Sequence, residues 1–165
     1  MDRSPYTNPP KRRIGAQAVL LHPEDDRVLL LNMLHRPCGW LPGGHCAPNE
    51  PALEAVRRIV RLQLGITVPI DGTDLALVDY SPARMHPEAS EGYTFVFAHR
   101  LTTEHAALAQ PQELAGPDLL GLRWIRVAAI GDCCLPYHVL RITRAVAVAE
   151  SGSCIAQFVV RGVAA

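Results

Sequence analysis

The sequence predicts an α+β fold, and three observations carry that prediction. Short apolar segments with strand character recur along the chain, two longer segments repeat their apolar residues at helical spacing, and neither an internal repeat nor a linker marks a second unit. With 165 residues, 48% of them hydrophobic, the chain is long enough to bury one proper core. Its expected organisation is a flexible N-terminal tail over 1–11, where Pro5, Pro9 and Pro10 stand among scattered apolar residues, followed by a single domain over 12–165.

The elements follow in order. Strands are predicted at about 13–22 and 27–34, divided by the turn-rich His22-Pro23-Glu24-Asp25-Asp26. A helix starts near Pro51, a residue tolerated at the first helical position, with Asn49 or Glu50 able to cap it or favour its N-terminal dipole, and Gly65 stops it. At about 100° per residue, Ala52, Leu53, Val56, Val60 and Leu64 share one arc of this helix. Glu54, Arg57, Arg58 and Arg61 gather opposite, and Ile59, Leu62 and Gln63 flank the apolar arc. Short strands are expected near 66–69, 74–80, 93–100 and 120–126. Between the second and third of these, a Pro/Glu/Ser-rich loop from Ser81 to Gly92 is long enough to border a cleft. Val139, Leu140, Ile142, Val146 and Val148 predict a second helix over about Pro136 to Glu150, and Cys154 to Val160 reads as a last strand.

Composition narrows the partners. Lys+Arg and Asp+Glu both number 16, so the charge balance offers no reason to expect nucleic acid or an anionic membrane surface. No apolar run is long enough to span a bilayer and no signal-peptide core precedes Pro9-Pro10, so a cytoplasmic location is expected. Five cysteines without a C-x-x-C pair fit reduced thiols better than a secreted disulfide framework.

The most specific segment runs from Trp40 to Val68. Gly44, Glu50, Arg58, Val60, Gly65 and Ile66 fall at the offsets Gly, five residues, Glu, seven residues, Arg, any residue, aliphatic, and then Gly-aliphatic at the end. This pattern resembles the Nudix box, and the likeness extends over roughly 12 to 160 through Arg13 to Leu20, Glu91 to Phe97, Leu122 to Ile125 and Leu135-Pro136. The resemblance implies an αβα sandwich with a mixed sheet and a loop-helix-loop box. It also implies a Mg²⁺-dependent pyrophosphohydrolase, whose helix glutamates hold the metal. Here Ile59, Leu62 and Gln63 occupy those three places. Aliphatic side chains and a neutral amide do not replace oxygen-rich anionic ligands, so no metal and no other cofactor is expected. Glu50 and Arg58 carry over as structural supports of the box.

Other residues are candidates for the missing chemistry. His86, Glu88 and Glu91, in the loop before the 93–100 strand, offer general acid–base groups, and His45 with Cys46 follow the diglycine, where the thiol is a candidate nucleophile. His35, Cys38, His45 and Cys46 are spaced H-x2-C-x6-H-C, unlike a common zinc pattern. Trp40, Gly43, Gly44, Ile59, Leu62 and Gln63 are the expected substrate-contacting set, with Ile59 and Leu62 forming an apolar cleft wall.

Three functions follow from this reading. The first is a repurposed, metal-independent enzyme acting on a nucleotide-like or other small metabolite. The second is a non-catalytic module that senses a ligand or pairs with a partner, a homodimer included, through the apolar surface around Ile59 and Leu62. The third is a residual nucleoside diphosphate-X hydrolase using other carboxylates.

Overall fold

The computed structural model describes residues 12–36, 38–85, 89–153 and 155–164. The expected tail over 1–11 lies outside them. Among the described residues, eight strands form one open mixed sheet: β1 (Arg13–Leu21), β2 (Arg27–Met33), β3 (Gly43–His45), β4 (Leu75–Ser81), β5 (Gly92–Arg100), β6 (Leu119–Arg126), β7 (Gln157–Val160) and β8 (Val163–Ala164). Their order is β6-β2-β1-β5-β4-β7-β8, with β3 on β1 beside the start of that strand. β1 is the organising strand. It runs parallel to β5 from Arg13 opposite Gly92 to Leu21 opposite Arg100, and antiparallel to both β2 and β3.

Two helices cover opposite faces. Strand side chains alternate, so Ala16, Ala18, Leu20, Leu29 and Leu31 pack under α1 (Ala52–Leu64), against Ala55, Val56, Ile59, Val60 and Leu64. Val19, Leu21, Val28 and Leu30 point the other way, against Ile142, Ala145, Val146 and Val148 of the C-terminal helix. A short helix, α2 (Thr103–Leu108), precedes β6, and α3 (Pro136–Glu150) is the C-terminal helix of the second core. This is the α+β, three-layer arrangement expected from the sequence. Among the described residues, no helix is long and apolar enough to cross a membrane.

Several local expectations need correction. Residues 66–70 are not a strand: Ile66, Val68 and Ile70 are buried in alternation, which is the strand signal, but the segment is only extended chain lying on the core. Its end is tied by Arg57 Nε donating to the Ile70 carbonyl at 2.6 Å. Neither Asn49 nor Glu50 caps α1. Pro51 is the cap residue, with no side-chain hydrogen bond, and the helix begins at Ala52. The last long strand is shorter than expected, Gln157–Val160, and Cys154 lies outside the described residues. β3, α2 and β8 carry no signal that periodicity detects. β3 forms because Gly43 has no side chain: a Cβ there would stand 2.6 Å from Gln17 Cγ and 2.8 Å from Gln17 Cα, so only glycine lets the box loop lie against β1.

Candidate functional site

The box loop is held by two side chains of α1. Arg58 grips Glu50 with both arms of its guanidinium, Nε to Oε1 at 2.6 Å and Nη2 to Oε2 at 2.8 Å. Glu50 also accepts the Ala47 backbone N–H at 2.7 Å. These bonds stabilise the charged carboxylate, and the Arg58 hydrogen bond, followed by the Ala47 one, lowers its pKa to about 2 from an ordinary 4.5. The folded value is depressed, so this group contributes stability above its ordinary pKa and loses it as pH falls through about 2. Arg58→Ala is therefore expected to be less stable than wild type near neutral pH. The gap narrows as urea melts are repeated from pH 5 down toward pH 2. A gap that does not change with pH disproves the pairing as its source. Arg58 is largely solvent-facing, so the loss is modest.

Gln63 makes the second connection. Its Oε1 accepts the Gly43 N–H at 3.0 Å and its Nε2 donates to the Gly43 carbonyl at 3.2 Å. A carboxamide satisfies both halves of one peptide residue, whereas a carboxylate would press an anion against the carbonyl. The amide thus acts as a clamp where the box pattern has a glutamate. The other two altered positions part company. Ile59 is buried in the core under β3, where a Cβ on Gly44 would meet its Cδ1 at 3.3 Å, and Leu62 is 38% exposed. Neither lines the main cavity, so the expected apolar wall is not present there.

That cavity, of about 490 Å³, opens beside β3 and the first turn of α3. Its size suits a small-molecule ligand. Trp40, Gly43, Gly44, His45 and Gln63 line it, as expected, and so do residues that sequence reasoning missed: Arg13, Gln17, Arg36, Arg84, Tyr137, His138, Arg141 and Arg161. Among the described residues, no aspartate or glutamate lines it. Arg36, Arg84, Arg141 and Arg161 all bear electrostatically on the Tyr137 hydroxyl, whose pKa burial nevertheless raises. Arg141 is fixed in place: Nε donates to Asp79 Oδ2 at 2.9 Å, Nη2 donates to the same oxygen and Nη1 to Gln17. Arg36 stacks on Trp40, its guanidinium carbon 3.9 Å from the ring centroid.

His138 stands between Trp40 and Tyr137, with ring centroids at 4.3 and 4.4 Å. It is 1% exposed, and neither ring nitrogen has a hydrogen-bond partner among the described residues. Burial, with smaller contributions from Arg141 and Arg36, pushes its pKa down to about 3, so the ring is neutral at physiological pH.

The catalytic candidates are scattered. His45 is on the cavity rim, but Cys46 sits in a shallow neighbouring depression with Glu50, its thiol pKa raised first by burial and then by the Glu50 charge. Such a thiol is mostly protonated near neutrality. Glu91 accepts hydrogen bonds from Tyr80 at 2.8 Å and Arg12 at 2.6 Å, which lower its pKa, and it does not line the cavity. His86 and Glu88 lie outside the described residues. The missed arginines had no local signature, because they come from a strand, loops, helix α3 and a turn that only the fold brings together.

Comparison with solved structures returns the same architecture. A structure of a UDP-X diphosphatase matches with a TM-score of 0.67 at 16% identity, covering 95% of this chain and 71% of that one. The NUDIX domain of Shewanella oneidensis NrtR, complexed with ADP ribose, matches at 0.66 with 17% identity, covering 89% and 97%. A NUDIX hydrolase from Nitrosomonas europaea matches at 0.65 with 18% identity, covering 91% and 78%. At these identities the likeness establishes the fold. No curated protein matches the sequence. The NUDIX domain model, however, matches residues 11–142, and with the box offsets kept around Glu50 and Arg58 this chain belongs to the Nudix family.

Proposed function

We propose that this Nudix-family protein binds a small, multiply anionic, nucleotide-like metabolite in the arginine-lined cavity, without a divalent cation. The observation that carries the reading is the charge of the wall: Arg13, Arg36, Arg84 and Arg161 line it beside Arg141, whose own charge Asp79 balances from behind, and no carboxylate is among the described lining residues. Guanidinium groups bind phosphate and carboxylate through paired N–H donors and supply the positive charge that a metal otherwise provides. The donor set at the box points the same way. Ile59 is in the core, Leu62 lies outside the cavity, Gln63 is engaged with Gly43, and Glu50 is saturated by Arg58 and Ala47. Those residues do not fit Mg²⁺, which takes oxygen ligands in near-octahedral geometry.

Binding is common to the enzyme and sensor readings. The sensor reading is favoured by the placement of Glu91 and Cys46 outside the cavity and by the hydrogen bonds that already occupy Glu91. ADP-ribose, the ligand of the Shewanella oneidensis NUDIX domain, and pyrophosphate are suitable probes. Titration calorimetry in EDTA should give saturable binding to both, weakening as salt is raised because exposed guanidiniums are screened. Binding that requires Mg²⁺ or Mn²⁺, or turnover of ADP-ribose with Mg²⁺ at about 1 per second or faster, overturns the proposal and restores the hydrolase reading.

A further inference from the structure

We infer that Arg161 is an affinity-determining residue for the anionic ligand, held in a strained backbone in order to reach it. This rests on the anion-binding reading of the cavity. Val160 and Val163 pair across the β7–β8 hairpin, leaving Arg161 and Gly162 as a two-residue turn with φ of 50° and 79°. Turns with two successive positive φ values favour Asn-Gly, because a larger side chain at the first place is strained. Arginine is a poor choice for that place on conformational grounds alone.

The turn has little room to relax. Arg161 N–H donates to the Tyr80 carbonyl at 3.1 Å, Gly162 N–H to Asp79 Oδ1 at 3.2 Å, and Arg144 Nε to the Gly162 carbonyl at 2.8 Å. A Cβ on Gly162 would stand 2.8 Å from Leu140 Cβ and 3.0 Å from the Tyr137 carbonyl, so the hairpin is pressed against α3. The backbone is thereby fixed, and the exposed Arg161 side chain is delivered to the cavity wall with Arg36, Arg84 and Arg141. Among the described residues, Arg161 makes no ion pair. The hairpin also lies beyond residue 142, where the family match ends. Residues held in unfavourable φ concentrate at ligand clamps, where the surrounding structure sustains the strain.

Strain and ligand contact together predict an opposed pair of effects. Arg161→Asn removes the strain and the charge, and should raise Tm by about 2–4 °C while weakening ADP-ribose and pyrophosphate roughly tenfold or more. Arg161→Lys keeps the charge and the conformational constraint, so Tm should stay near wild type and affinity should fall less than in Arg161→Asn. Calorimetry in EDTA and thermal melts on the full chain read both quantities. Wild-type affinity in Arg161→Asn overturns the inference alone. A lowered Tm in that variant overturns it too, because the arginine then supports the turn rather than straining it. If wild type binds neither probe, the anion-binding reading fails and takes this inference with it.

Discussion

Asp79→Ala is expected to lower stability by about 3–5 kcal/mol, read as a fall in the urea midpoint, because it leaves a buried guanidinium without its counter-charge. Asp79 is fully buried and Arg141 is 4% exposed. The carboxylate takes two donors from Arg141 on one oxygen and the Gly162 N–H on the other, joining β4, α3 and the β7–β8 turn, while Gln17 of β1 accepts from the same arginine. The double change Asp79→Leu with Arg141→Met should recover most of that loss, since replacing both members of a buried pair by apolar groups is often close to neutral. It should also weaken pyrophosphate, because Arg141 lines the cavity. A loss below about 1 kcal/mol in the single variant means that water reaches Arg141 and that the pair is not truly buried.

Putting the box glutamates back is expected to unfold the protein rather than to create a metal site. Ile59→Glu places a carboxyl in a position that is 5% exposed, and a pKa rise of about 3 units for such a group corresponds to roughly 4 kcal/mol at neutral pH. Gln63→Glu loses the donor to the Gly43 carbonyl and sets a negative charge against it, for about 1–3 kcal/mol more. Leu62→Glu, on an exposed position, should stay within about 0.5 kcal/mol of wild type. Thermal melts of the three single variants and the triple variant, with and without Mg²⁺, separate these contributions. A folded triple variant that Mg²⁺ stabilises shows that the three positions still converge on a hydrated cleft, against the geometry described above.

Much of this arrangement is legible in the sequence. The helix over Pro136–Glu150 is expected at those residues because its apolar spacing is a local signal. The box helix and its Gly65 stop follow from local signals, and the resemblance to the Nudix box implies Glu50 and Arg58 as supports, which the loop-helix geometry brings into contact. β1, β2, β4, β5 and β6 were expected from short apolar runs. Each of these rests on interactions within one segment or between close neighbours, which sequence spacing encodes directly.

The tertiary structure decided what spacing does not encode. Ile66, Val68 and Ile70 alternate like a strand, yet whether an extended segment pairs depends on a free sheet edge beside it. Ile59 and Leu62 are neighbours on the helical wheel, but one is buried and the other exposed, because burial depends on where β3 and the sheet end beneath α1. Gln63 reads as a lost carboxylate until Gly43 is seen within reach of both atoms of its amide. The arginines of the cavity lie far apart in the chain and carry no common motif. They meet because β1 pairs with β3 and β5, β4 pairs with β7, and the β7–β8 turn packs on α3, so their convergence is a consequence of non-local strand pairing and core packing.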